Sequence, residues 1–84
     1  MRIIFASRAW EDYRHWQDSD AKVLKRIHEL IKDTGRSPFS GIGKPEPLRY
    51  NYAGYWSRRI TEEHRMVYRM ENGDLLIAQL RYHY

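Results

Sequence analysis

Cysteine is absent from the 84 residues, which excludes a disulfide framework and every cysteine-based zinc site and suits a reducing, cytoplasmic setting. No stretch approaches the roughly 20 apolar residues of a membrane span. The run Ile3-Ile4-Phe5 is too brief for the core of a secretory signal. The four histidines show neither HxH nor HExxH spacing, so no metal or other cofactor is expected. There is no internal repeat and no low-complexity segment. A chain this short supports one hydrophobic core, and residues 1–84 are expected to form a single domain.

Aromatic side chains and arginine are plentiful. Three Trp, seven Tyr and two Phe can fill a core that aliphatics alone would leave thin. Fifteen Lys and Arg against eleven Asp and Glu give a net charge of +4, a moderate bias toward anionic partners. Eleven of the fifteen are arginine. In the second half the basic residues are Lys44, Arg49, Arg58, Arg59, Arg65, Arg69 and Arg81. A guanidinium forks onto phosphate oxygens through two parallel hydrogen bonds, where an ammonium acts as a point charge, so this composition points to geometric phosphate recognition. The plain alternative is a soluble sheet decorated with arginine.

The pattern predicts an α+β fold. Arg2 to Ala6 reads as a strand, with Ser7 as a helix cap. Trp10, Tyr13 and Trp16 then form an aromatic stripe that suits a core. Asp18, Ser19 and Asp20 can cap a second helix, in which Val23, Leu24, Ile27, Leu30 and Ile31 recur at helical spacing and Thr34 and Gly35 supply the stop. Gly35 to Pro47 holds three glycines and three prolines in thirteen residues and reads as a loop. Beyond it the period changes to two, and 48–52, 55–61, 65–70 and 75–82 read as strands, with turns at Ala53-Gly54, Glu62 to His64 and Asn72-Gly73. The two helices are expected to cover one sheet face through Met66, Tyr68, Met70, Leu76, Ala78 and Leu80. Arg65, Val67, Arg69, Gln79, Arg81 and His83 are left for a ligand on the other face.

Two side chains suit proton transfer. Glu46 stands between Pro45 and Pro47, whose rings restrict its backbone and so suit a positioned base. His83 lies one residue from the end of the sequence. A free histidine titrates at about 6.5, which suits donation to a leaving oxygen near neutral pH. An exposed loop glutamate and a frayed terminal histidine are the ordinary alternatives. His15 and His28 fall on the polar sides of the helices and His64 in a turn. In RNA a ribose 2′-hydroxyl can attack the adjacent phosphate and expel the next 5′-oxygen, without water or metal. That reaction needs a base, an acid and cations around the five-coordinate phosphorus, which Glu46, His83 and the arginines could supply. DNA lacks the attacking hydroxyl.

The segments Lys44-Pro45-Glu46-Pro47-Leu48, Tyr55-Trp56-Ser57-Arg58-Arg59-Ile60-Thr61-Glu62-Glu63-His64-Arg65 and Arg81-Tyr82-His83-Tyr84 closely resemble the YoeB (Txe) toxin family, and the resemblance spans essentially the whole chain. It implies a RelE-like fold and the toxin of a toxin-antitoxin pair, an endoribonuclease that enters the ribosomal A site and cleaves messenger RNA during translation. By that resemblance Glu46 is the general base and His83 the general acid. Arg65 and Arg59 stabilise the phosphate, and Tyr84 helps to place the substrate. Lys44, Arg49 and Arg58 are implied as further substrate contacts, Arg58 either structural or on the phosphate. The family commonly carries Lys and His where this chain has Arg49 and Tyr50, and a fork replaces an ammonium there. Implied partners are the 70S ribosome with its messenger RNA, a second copy of the chain, and a YefM-like antitoxin whose acidic, flexible segment would wrap the basic groove. Two other readings predict different behaviour. A ParE-like gyrase inhibitor of the same fold would not require this acid-base set, and an RNA-binding module would bind without making new RNA ends.

Overall fold

The computed structural model describes residues 1–83. In chain order it contains β1 (Ile3–Phe5), α1 (Ser7–Ser19), α2 (Ala21–Arg36), β2 (Glu46–Pro47), a 3₁₀ turn (Tyr50–Tyr52), β3 (Trp56–Arg59), β4 (Arg65–Glu71) and β5 (Asp74–Gln79). The five strands form one sheet in the order β1-β5-β4-β3-β2. The expected antiparallel meander runs from β2 to β5. The sheet as a whole is mixed, because β1 lies parallel beside β5 with Ile3 opposite Leu75 and Phe5 opposite Ile77. The connection between these two strands runs through both helices and β2 to β4, well beyond the roughly dozen residues that a parallel pair needs.

The helices pack on one face, as the sequence pattern predicts. Ile27 and Leu30 from α2 and Ala9 and Trp16 from α1 meet Met66, Tyr68, Leu75, Ile77 and Leu80 in a single buried cluster. Asp20 caps α2, its side chain accepting from the backbone N–H groups of Lys22 and Val23 at 3.1 Å each. Ser7 does not cap α1: Ala6 holds the cap position, and Ser7 is already helical. Gly35 does not stop α2 either. The helix runs on to Arg36, and Gly35 is not among the residues with positive φ.

The aromatic stripe of α1 is only partly core. Trp16 is buried while Trp10 is 48% exposed, and Ala9 and Asp12 share the inner face with Trp16. At 3.6 residues per turn Trp10 and Trp16 stand about 120° apart, so one layer cannot bury both. Trp10 instead stacks on Tyr13, with Phe5 edge-on to both rings.

Two strand assignments change. Residues 48–52 leave the ladder after the Leu48 amide donates to the Tyr55 carbonyl at 2.9 Å, and the chain then turns through Tyr50 at φ 56°. On β5 the phase is opposite to the simple alternation, with Leu75 and Ile77 in the core and Leu76 and Ala78 only partly buried. A register shift between Val67 and Tyr68 skips Ala78 in the pairing. That bulge switches the alternation, so that Leu80 is in the core as expected while Gln79 pairs with Val67. The Asn72-Gly73 turn is as expected, with φ of 53° and 81° as a tight primed hairpin requires.

Candidate active site

The loop from Ser37 to Pro45 is held mainly by Arg58, which makes three of its carbonyl contacts. Arg58, 0% exposed, donates from Nη2 to the carbonyls of Ser37 and Ser40 and from Nη1 to the carbonyl of Ile42. Its Nη1 also meets Asp33 Oδ2 at 2.7 Å, and its Nε reaches the Tyr68 hydroxyl at 3.1 Å. The backbone N–H of Ile42, and then Arg58, hold the Asp33 carboxyl below the usual carboxylate range. Burial pushes the Tyr68 phenol up, and that hydroxyl donates to the Pro38 carbonyl at 2.7 Å. The Arg59 amide completes the anchoring through the Gly43 carbonyl at 2.7 Å. Gly43 lies so close to the sheet that an added Cβ would stand 3.2 Å from the Arg59 carbonyl oxygen. The chain then passes Gly43 and Lys44 in left-handed conformation and enters β2 at Glu46.

The strand register assigns side chains to faces. Glu46 pairs with Ser57, Ser57 with Val67, and Val67 with Gln79, a continuous row across four strands. Directly opposed residues point to the same side of a sheet. Arg59 and Arg65 form the next pair, two residues along each strand from Ser57 and Val67, and so share that face. It is the face away from the helices. At about 4.8 Å per strand, Glu46 stands about 10 Å from Val67 and about 14 Å from Gln79.

Arg65 is half-buried, and its Nη1 donates to the carbonyls of Thr61, Glu62 and His64 at 2.7, 2.9 and 3.2 Å. Among the described residues no partner bonds its Nε or Nη2, so one edge of the fork is open to a ligand. Arg59 is exposed. His83 is also exposed and lies beyond β5, which ends at Gln79 rather than at Tyr82. Its carbonyl accepts from Gln79 Nε2 at 2.7 Å, which ties it to the row containing Glu46. Tyr84 lies outside the described residues. Exposed Lys44 and Arg49 flank Glu46 on either side in the chain. A cavity of about 770 Å³ is lined by Glu46 to Tyr52, and Tyr50 is 91% exposed.

Arg58 must be removed from the substrate contacts, because every nitrogen of its fork is engaged inside the protein. Glu46, Arg59 and Arg65 share the helix-free face by register, and the backbone of His83 is tied beside it. Among the described residues no group of three or more His, Cys, Asp or Glu is arranged to hold a metal ion, and no helix is long and apolar enough to cross a membrane.

Residues 5–84 match the family model described as "YoeB-like toxin of bacterial type II toxin-antitoxin system". The chain belongs to this family. Toxin YoeB of Escherichia coli K12 is 57% identical over 84 residues, all of both chains. Among solved structures, a YoeB/ParE toxin from Agrobacterium tumefaciens superposes with a TM-score of 0.96 at 49% identity, covering 100% of each chain. The toxin in a YoeB-YefM complex from Staphylococcus aureus gives 0.94 at 45% identity, covering 100% of this chain and 98% of that one. The α+β, RelE-like architecture expected from the motifs is the one observed.

Some residues that organise this YoeB-like toxin are not evident in its sequence. Asp12 is buried on α1 and accepts from the Leu80 amide at 3.0 Å, while Trp16 Nε1 donates to the Leu80 carbonyl at 2.8 Å. Their spacing of four residues puts them on one helix face, but Asp12 falls beside the stripe of Trp10, Tyr13 and Trp16 rather than on it, where a charged residue reads as solvated. His64 is 8% exposed and Gln79 4% exposed, and no local pattern identifies either as buried.

Proposed function

We propose that this YoeB-like toxin is an endoribonuclease that cuts messenger RNA in the ribosomal A site by attack of a 2′-hydroxyl on the adjacent phosphate. The observation that carries this reading is the shared face of Glu46, Arg59 and Arg65, with His83 tethered beside it. In the proposed reaction Glu46 takes the 2′-hydroxyl proton, and the oxygen bonds to phosphorus. The P–O5′ bond breaks to leave a 2′,3′-cyclic phosphate, and His83 gives its proton to the departing oxygen. Arg65 and Arg59 offset the added charge on the phosphoryl oxygens, which are the atoms that gain most in the transition state. Tyr84 helps to place the substrate. Lys44 and Arg49 hold the flanking backbone, and the bare Tyr50 ring suits stacking on an unpaired base.

The partners follow from the same site. A cationic face open to single-stranded RNA is also open to an acidic, flexible segment, and the relative from S. aureus has been solved with YefM; a YefM-like antitoxin is the proposed partner. A YoeB dimer from S. aureus supports a homodimer here. The substrate puts the protein in the cytoplasm with the ribosomes.

The test is to add the purified toxin to stalled ribosomes carrying a defined message and map new 5′ ends. Parent protein is expected to cut within the A-site codon. Glu46→Ala and His83→Ala should each cut about 10²- to 10⁴-fold more slowly. Both variants cutting at the parent rate would refute the assignment of base and acid, and a parent that makes no new ends would refute the nuclease reading.

A further inference from the structure

We infer that His64 and Gln79 are positioning residues that hold the C-terminal segment, and with it His83, in register with Arg65. The inference rests on the proposed role of His83. β5 stops at Gln79, and the following residues turn through Tyr82 at φ 65°. A tyrosine keeps that left-handed conformation only where its surroundings over-determine it. Here they do. The Tyr82 amide donates to His64 Nδ1 at 2.7 Å, and the Tyr82 carbonyl accepts from the Arg65 amide at 3.1 Å. Gln79 Nε2 donates to the carbonyls of Arg81 and His83 at 2.8 and 2.7 Å, with the Tyr82 carbonyl at 3.3 Å.

The chemistry of each side chain fits the task. A ring nitrogen that accepts an amide N–H must carry its lone pair, so the His64 proton is on Nε2. That nitrogen faces Glu63 Oε1 at 3.0 Å, and the edge-on contact with Trp16, 4.8 Å between ring centroids, fixes the ring's tilt. His64 also precedes Arg65 in the chain, and its carbonyl accepts from Arg65 Nη1. One turn thus sets both the phosphate-facing guanidinium and the tail that bears the acid. Gln79 sits in the row that begins at Glu46. Its amide gathers carbonyls that a carboxylate would repel and that leucine would leave without a donor. Neither residue needs to touch RNA.

The test uses stalled ribosomes with a defined message and measures, for each folded variant, the cleavage rate constant of the bound complex and the affinity for the ribosome. His64→Leu and Gln79→Leu are expected to cut about 10- to 100-fold more slowly with affinity within about threefold, as a misplaced catalytic group predicts. His64→Asn, whose Oδ1 can accept the Tyr82 amide in place of Nδ1, should recover most of the rate. Should His83→Ala be inactive while both leucine variants cut within twofold of parent, the positioning inference fails and the assignment of the acid stands. Should His83→Ala cut at the parent rate, that assignment itself fails. The ¹⁵N shifts of the His64 ring in the parent give a reading independent of any variant's folding. A protonated Nε2 supports the inference, and a proton on Nδ1 overturns it.

Discussion

Arg58 and Arg59 are neighbours in the chain with opposite surroundings: strand alternation turns Arg58 inward, under the loop that leads to Glu46, and leaves Arg59 exposed. Removing the Arg58 guanidinium would strip donors from three loop carbonyls and take from Asp33 its 2.7 Å cationic partner, leaving only the more exposed Arg36 at 3.5 Å. Arg58→Ala is therefore expected to lower unfolding free energy by about 3 kcal/mol or more, read by denaturant titration. A loss below about 1 kcal/mol would contradict the anchoring role. Arg65→Ala removes the donor to the Thr61, Glu62 and His64 carbonyls and should cost about 1–3 kcal/mol of stability, yet the folded variant should cut at least as slowly as Glu46→Ala, since one donor to a developing oxyanion is worth about 3–4 kcal/mol; near-normal cleavage by Arg65→Ala would refute it. At this scale the sequence identified which residue types the chemistry needs but not which arginine faces inward. Arg58 and Arg59 share one motif, and only the register separates them. The sequence places His64 at the end of a turn, between β3 and β4 as observed, but nothing local shows that its ring is 8% exposed beneath a C-terminal segment.

Elements were most legible where periodicity is long or a turn has a single chemical solution. α2 shows its apolar face at helical spacing and has a side-chain cap at Asp20. Asn72-Gly73 forms the expected hairpin because only such residues tolerate positive φ at both positions. The failures have local physical causes. The bulge on β5 inverts an alternation that is otherwise read correctly, and Tyr50 leaves the strand region at φ 56° without a glycine to announce it. Gly43→Ala tests the loop at this scale. The residue has φ 79°, and its missing Cβ would meet Leu30 Cδ2 at 2.8 Å. The substitution should cost about 1–2 kcal/mol in strain and slow cleavage by shifting Glu46. Thermal melts and cleavage rates unchanged from the parent would show that the loop does not position the base.

The whole molecule combines an acid-sensitive periphery with a cationic face. Asp33 is held below its ordinary value of 3.8 by the Ile42 amide and Arg58. Asp74 is held below the same value by Arg2, whose fork meets it at 2.8 and 3.0 Å. A carboxyl whose folded pKa is depressed contributes its stability above the unfolded pKa and loses it as pH falls through the folded value. The melting temperature should therefore decline steadily below about pH 4, and Asp33→Asn should start lower near neutrality and decline less. Parallel curves for parent and variant would show that this carboxylate is not a source of acid sensitivity. The net charge of +4 predicts that affinity for a single-stranded RNA falls as salt rises. The central claim is that the message supplies its own nucleophile, and a message carrying one 2′-deoxy nucleotide at the scissile position tests it directly. On stalled ribosomes the all-ribose message should be cut to a 2′,3′-cyclic phosphate end while the singly substituted message stays whole; equal cutting of both would contradict the mechanism.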